Sequence, residues 1–409
     1  MSSIGNDNYT ALALHQICQK YVTANSVGGF QEMNAVIAGY TDRNETRFLS
    51  AHGVKNMETE EPATIDSMMC YYSCTKLITA MAVLLLWERG QVELDVPAKN
   101  YLPLIGECGI VESGQIDSST GQLKSPPTKP QTDITIRHLL THTSGFAYII
   151  THPTYYSIMM SKKIFTALKV LFQPENMPLI FEPGTDWIYG HGFDWLGLII
   201  EAVSGQNLSD FLQENIFAKA GMDSCTFQMT DPSSMVHLHD KTEGNVKLWT
   251  KPLPIPLTSE IDMGGHGCFG TIGDYLKFMR IWLNYGTSPD TGLQILRRET
   301  VELAVENHLS PGQALNFPTP FSDPSDGFSL AGCGRTEKDL DTGRPAGSLF
   351  WAGLANLYFW IDLENGCAGI WGSQIMPYMD SGCVAGFKEF EAAVYSEYLP
   401  GTGSIELVN

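Results

Sequence analysis

The chain has 409 residues, 43% of them hydrophobic and 17% charged, enough apolar material for a large core and for more than one structural unit. Lys and Arg number 25 against 45 Asp and Glu, a formal net charge of −20. That balance excludes nucleic acid as the expected partner, since phosphate binding needs a basic face, and gives no indication of an acidic carrier protein.

Nine cysteines are an odd number in a chain of this length. Cys18, Cys70 and Cys268 lie in apolar surroundings, so buried, reduced thiols are expected rather than a disulfide framework. The opening MSSIGNDNYTALALHQ has neither the basic flank nor the apolar core of a signal peptide. No apolar run reaches the length of a membrane span, and the closing GTGSIELVN carries no targeting or lipidation signal. A cytoplasmic location and no membrane partner are the resulting expectations.

Along the chain, residues 9–24 read as a helix with Leu12, Leu14, Ile17 and Tyr21 apolar. Residues 35–40 and 47–52 read as strands joined by a polar turn. A helix begins near Ser73 and runs through the apolar stretch 77–87 to a stop at Glu88-Arg89-Gly90. Residues 95–135 are rich in Pro, Gly, Ser and Thr and read as surface loops. Residues 135–140 start a short helix, and 195–203 and 208–220 read as further helices. Residues 348–352, 357–362 and 367–372 alternate with turn residues as an antiparallel meander, and 384–398 closes the chain as an amphipathic helix. Strands at both ends with helices between them predict an α/β (α+β) fold. In it, one antiparallel sheet built from both termini is flanked by helices and carries a mostly helical insertion. The expected units are 1–92 with 255–409, and 93–254, with the active site between them.

Ser73-Cys74-Thr75-Lys76 carries the chemistry. Residues three apart share a helix face, so Lys76 lies over Ser73. A serine hydroxyl is a weak nucleophile until a neighbour takes its proton, and a lysine in a dry pocket loses part of its preference for the charged form. Free N–H groups at the helix start favour developing negative charge. No G-x-S-x-G occurs, so the elbow of an α/β-hydrolase is excluded.

These residues resemble the serine hydrolases with the class C β-lactamase fold. The group includes penicillin-binding peptidases, family VIII carboxylesterases and a fungal transesterase that acylates a statin precursor. The resemblance covers nearly the whole chain. Its signposts are Ser73-x-x-Lys76, the run Thr135 to Gly145 (TIRHLLTHTSG), Phe181-Glu182-Pro183-Gly184 leading to Tyr189, Gly264-Gly265-His266-Gly267, and Trp351-Ala352-Gly353. The resemblance implies Ser73 as nucleophile and Lys76 as its partner. Tyr189 is then the general base and later acid, as phenolate or through the lysine. The backbone N–H groups of Ser73 and Leu354 are the implied oxyanion hole, and the implied chemistry is ping-pong acyl transfer without cofactor or metal. The partners are then a small-molecule ester or thioester as acyl donor and an alcohol or water as acceptor.

Two departures bear on substrate. Tyr189-Gly190-His191 stands where β-lactamases have Tyr-x-Asn, and Trp351-Ala352-Gly353 stands where they have Lys-Thr-Gly. An indole in place of that lysine removes carboxylate recognition and supplies an apolar wall. The expected protein is therefore an acyltransferase or carboxylesterase of secondary metabolism. The alternative is an amide or peptide hydrolase, such as a D-amino-acid peptidase or lactam-opening enzyme. Tyr148, His191, Trp351 and Gly353 are the expected substrate contacts. Read alone, Ser73 is a helix N-cap, and Tyr189 and Trp351 are core aromatics. Cys74 faces away from Ser73 and reads as packing. His138 and His142 read as structural. His237-Leu238-His239-Asp240 looks like a metal cluster but lacks further ligands nearby.

Overall fold

The computed structural model describes residues 4–23, 31–112, 114–164, 168–242 and 244–398. The chain ends read above for targeting signals, 1–3 and 399–409, lie outside the described residues, as does residue 24 of the first expected helix. Early in the chain come β1 (Ala35–Thr41) and β2 (Thr46–Gly53). Two short strands, β3 (Met69–Cys70) and β4 (Phe269–Gly270), form a separate antiparallel pair, with Phe269 also bridging to Thr226. Late in the chain come β5 (Gly327–Phe328), β6 (Gly334–Arg335), β7 (Leu349–Gly353), β8 (Leu357–Asp362) and β9 (Cys367–Gly372).

Seven of these strands form one antiparallel sheet in the order β2-β1-β9-β8-β7-β6-β5. The two ends of the chain meet at its centre, where Ile37 of β1 lies opposite Gly372 of β9 and Thr41 opposite Ala368. Every residue of β1, β8 and β9 is buried. These strands read as continuous apolar runs because both faces of the sheet are covered. Val36, Ala38, Tyr358, Trp360 and Trp371 pack beneath α1 (Ile4–Val22) and the final helix, α7 (Ser381–Tyr398). Ile37, Phe359, Ile361 and Ile370 face the opposite core. That face is covered by α6 (Ile272–Leu283), whose start is capped by Thr271 Oγ1 accepting the Asp274 N–H at 3.2 Å. In the sequence α6 is marked only by a Thr-x-x-Asp cap and an amphipathic run.

The middle of the chain supplies the helices that wall the site: α2 (Thr75–Glu88), α3 (Ile136–Leu140), α4 (Pro153–Lys162) and α5 (Gly192–Ser204). α5 packs on both α2 and α3. The expected helix over 208–220 forms, but Gln213–Phe217 is a π turn between Leu208–Leu212 and Ala218–Ala220. The expected loops over 95–135 hold short 3-10 turns at Ala98–Asn100 and Pro103–Glu107 and isolated bridges such as Ile110 with Thr128. Among the described residues, no helix is long and apolar enough to cross a membrane.

Candidate active site

Ser73 sits in a single 3-10 turn, Tyr72–Cys74, that feeds directly into α2. Tyr72 adopts φ +47°, a left-handed conformation that costs a bulky residue about 1–2 kcal/mol. The sharp turn leaves Ser73 partly exposed between buried Tyr72 and Cys74.

α2 is buried all round from Thr75 to Leu86, so its few polar side chains must find partners. They find them on the glycine-rich backbone that follows Met263. Thr75 Oγ1 accepts the N–H of Cys268 at 3.2 Å, and Thr79 Oγ1 donates to the Gly264 carbonyl at 2.7 Å. Lys76 Nζ donates to the Gly265 carbonyl at 2.8 Å. The Gly264–Gly267 signpost is thus a backbone shelf that holds the lysine.

Lys76 is fully buried, with Nζ 3.4 Å from Ser73 Oγ and 3.2 Å from Tyr148 Oη. Nζ also lies 4.6 Å from the centre of the Tyr189 ring. Burial pulls its pKa down to about 7 against the opposing pull of the Asp194 carboxylate. The amine is therefore poised between charged and neutral forms near neutral pH. Tyr189 is buried too, and its hydroxyl takes the Trp351 indole N–H at 3.3 Å and has Ser73 as a second polar neighbour. Burial pushes its phenol up, outweighing the two hydrogen bonds that favour the phenolate. Burial thus favours the neutral amine of Lys76 and disfavours the phenolate of Tyr189.

Behind the lysine lies a carboxylate to which the sequence reading gave no role. Asp194, on the first turn of α5, has a fully buried side chain. Its Oδ1 accepts the Gly265 N–H at 2.8 Å and lies 3.5 Å from His266 Nδ1. Its Oδ2 accepts from His191 Nδ1 at 2.8 Å and from Tyr148 Oη at 3.2 Å. Burial alone would raise its pKa, but His266, His191 and Lys76 hold it below the usual carboxylate range. Tyr148 and His191, expected at the substrate, are both bonded to Asp194. The available signal was an ionisable residue inside the apolar run Phe193-Asp194-Trp195-Leu196, which needs buried partners.

β7 closes the other side. A Cβ on Gly353 would stand 2.7 Å from the Tyr71 carbonyl, so only glycine lets the end of β7, and Leu354 after it, approach the Ser73 turn this closely. A cavity of about 840 Å³ opens in front of Tyr189 and Leu354. Its walls are largely apolar and aromatic, among them Ile150, Ile180, Trp187, Phe317 and Tyr378. Phe317 bridges the aromatic stack, 4.6 Å from Tyr189 and 6.0 Å from Trp351 between ring centres. A second cavity, of about 580 Å³ and lined by Leu198, Glu201 and Asp262 among others, contains none of the expected catalytic residues.

Cys74 is fully buried, and burial pushes its thiol up, so it offers no thiolate beside Ser73. His142, at φ +57°, accepts the Gly190 N–H and packs edge-on against the Tyr189 ring. His138 completes the capping box of α3 with Thr135. His239 accepts the Met57 N–H and bonds the His237 carbonyl, which satisfies both its nitrogens within the fold.

The Beta-lactamase family profile matches residues 24–393 of the chain. Monacolin J acid methylbutanoyltransferase of Aspergillus terreus is 30% identical over 375 residues, 88% of this chain and 89% of the relative. Lovastatin esterase of Penicillium rubens is 28% identical over 361 residues, 83% of this chain and 88% of the relative. The unliganded structure of simvastatin synthase (LovD) from Aspergillus terreus superposes with a TM-score of 0.80 at 26% identity, covering 96% of this chain and 99% of that one.

Proposed function

The chain belongs to the Beta-lactamase family, and from that premise we propose a Ser73–Lys76–Tyr189 acyl-transfer mechanism for it. The protein is a serine acyl-enzyme catalyst of the transesterase and esterase kind, like the acyltransferases and esterases to which it is similar. The observation that carries the residue assignment is a fully buried lysine, its pKa drawn down to about 7, with Nζ 3.4 Å from Ser73 Oγ, which follows the left-handed Tyr72. Neutral Lys76 takes the Ser73 proton as Oγ attacks the donor's carbonyl carbon. The N–H groups of Ser73 and Leu354 hold the oxyanion. The tetrahedral adduct collapses, the C–O or C–S bond of the donor breaks, and the leaving group takes a proton from Lys76 through Tyr189. An alcohol or water then attacks the acyl carbon and gives its proton to Lys76 through Tyr189; the Ser73 Oγ–C bond breaks, Lys76 returns a proton to Ser73, and the acyl group leaves on the acceptor. The cleft for this chemistry lies between the unit formed by 1–92 with 255–409 and the helical unit 93–254.

The acyl donor is a small-molecule ester or thioester, and the acceptor an apolar alcohol that can rest against Phe317, Pro318 and Tyr378. The amide- and lactam-opening alternative is weaker because Trp351 occupies the place of a carboxylate-binding lysine. Burying a carboxylate against an indole without a counter-charge costs several kcal/mol. Intact-mass spectrometry after exposure to p-nitrophenyl butyrate should show one butyryl adduct, lost in Ser73→Ala. Persistence of the adduct in that variant, or its mapping to Cys74, removes the assignment. The same ester should be turned over far faster than a chromogenic cephalosporin, and Trp351→Lys should narrow the gap. Efficient cephalosporin turnover by the unmodified chain would reverse the choice of substrate class.

A further inference from the structure

We propose that Trp351 and Asp194 are positioning residues, the two ends of a hydrogen-bond chain whose direction they fix so that the Ser73 proton points at Lys76. The inference rests on the acyl-transfer reading above. Its logic is an inventory of donors and acceptors. An indole N–H can only donate, so Trp351 forces the Tyr189 oxygen to accept, at 3.3 Å. The Tyr189 proton is then left for Ser73 Oγ, the other polar neighbour of that hydroxyl. At the far end an ionised carboxylate can only accept, so Asp194 Oδ2 draws the Tyr148 proton, at 3.2 Å. The Tyr148 oxygen is left to accept from Lys76, at 3.2 Å. A carbonyl also can only accept, so Gly265 takes a second Lys76 N–H, at 2.8 Å.

A neutral amine has two N–H groups and one lone pair. Tyr148 and Gly265 use both N–H groups, so the lone pair faces the remaining neighbour, Ser73 Oγ at 3.4 Å. Every bond then runs one way: Trp351 to Tyr189 to Ser73 to Lys76 to Tyr148 to Asp194. Asp194 fixes the Gly265 shelf as well, by accepting its N–H at 2.8 Å. The carboxylate thus orients both acceptors of the lysine without touching the lysine itself.

Besides Asp194, the titratable groups facing Lys76 are Cys74 on its own turn, His142 and Tyr148 from the loop after α3, Tyr189 and His191 before α5, and His266 from the glycine-rich segment. Burial pushes Cys74, Tyr148 and Tyr189 up and His142 down, and takes His266 to about 4. Asp194 is the larger of the two groups that raise Lys76 against burial, ahead of Cys74, so removing its charge must move the lysine to lower pH.

The test is the pH profile of Ser73 acylation by p-nitrophenyl butyrate, together with a ¹³Cε-lysine NMR titration, on the unmodified chain, Asp194→Asn and Trp351→Phe. In the unmodified chain acylation should rise with pH through a limb near 7, matched by the Lys76 signal. In Asp194→Asn the Lys76 midpoint and the limb should both fall, by about one pH unit, because the neutral amide no longer favours the ammonium. The plateau should drop at least about 100-fold, because an amide can donate to Tyr148 and reverse the chain. Trp351→Phe keeps an aromatic wall and removes only the donor, and should slow acylation about 10-fold with KM little changed.

An Asp194→Asn protein that is slower but keeps the limb and the lysine midpoint would reduce Asp194 to a packing role and overturn the proposal. So would a Trp351→Phe protein that acylates at the normal rate, and that variant carries the test if Asp194→Asn does not fold. If no ester acylates the unmodified chain, the acyl-transfer reading fails. The NMR titration still judges the relay, since a Lys76 midpoint indifferent to Asp194→Asn overturns it without any substrate.

Discussion

Lys76 Nζ lies 3.4 Å from Ser73 Oγ and 4.6 Å from the Tyr189 ring centre, and in the proposed mechanism the two side chains share one proton path, so their losses should overlap. Lys76→Ala and Tyr189→Phe are each expected to lower acylation by about 10²- to 10⁴-fold, the range for a positioned acid or base. The double variant should be little worse than the poorer single one. Stopped-flow acylation rates for the three proteins check this, and additive losses would mean that the two side chains act independently. The Ser73–Lys76 pair was legible in the sequence because a three-residue spacing on a helix is a local fact. The Asp194 cluster was not, because its meaning depends on Tyr148, Gly265 and Lys76, which arrive from three separate segments. His191 shows the same limit. The sequence marked it as a departure from Tyr-x-Asn, whereas its bond to Asp194 at 2.8 Å needed the fold to appear.

At the scale of elements, the site depends on how closely β7 can approach the turn before α2. Gly353 has no room for a side chain, since its Cβ would meet the Tyr71 carbonyl at 2.7 Å and Leu357 Cβ at 3.2 Å. Gly353→Ala should therefore push the end of β7 away from Ser73 and spoil the proposed oxyanion donor at Leu354. Acylation is expected to fall about 10²- to 10³-fold, as when one oxyanion donor is lost. The melting temperature should drop only modestly, because the other pairs of β7 with β8 remain. A variant that melts normally and acylates normally would place the oxyanion donor elsewhere. The strand-forming runs over 357–362 and 367–372 matched β8 and β9 to the residue, because turn residues bound them on both sides. Strands β5 and β6 were invisible for the opposite reason: two residues each, they form only because β7 offers an edge. Trp360 and Trp371 show what holds that frame. Both are fully buried beneath the terminal helices, and truncating either to Ala should cost about 3–5 kcal/mol by chemical denaturation.

At the scale of the whole molecule, an acidic body surrounds an apolar mouth. The net charge is −20, and the 840 Å³ cavity has no lysine or arginine among the described residues that line it. Asp186 stands at its rim, and burial holds the lining His152 below its usual pKa, so the histidine brings no cation at neutral pH. An anionic substrate is then opposed twice. It is repelled during approach by the field of the molecule, and it must shed water in a cavity without a counter-charge. The two effects separate experimentally, because salt screens the first and leaves the second. For a matched pair, p-nitrophenyl octanoate and the mono-p-nitrophenyl ester of octanedioic acid, kcat/KM should favour the neutral ester at least about 100-fold, a gap that a desolvation cost of several kcal/mol readily supplies. Raising the ionic strength from about 0.01 M to about 0.1 M shortens the screening length from about 30 Å to about 10 Å, and should recover a few-fold of the anionic rate while leaving the neutral one unchanged. A gap that closed completely with salt would mean that repulsion alone sets the preference and that the carboxylate never enters the cavity. Equal rates at every ionic strength would mean that the carboxylate finds a counter-charge, and the apolar-mouth account of specificity would have to be given up.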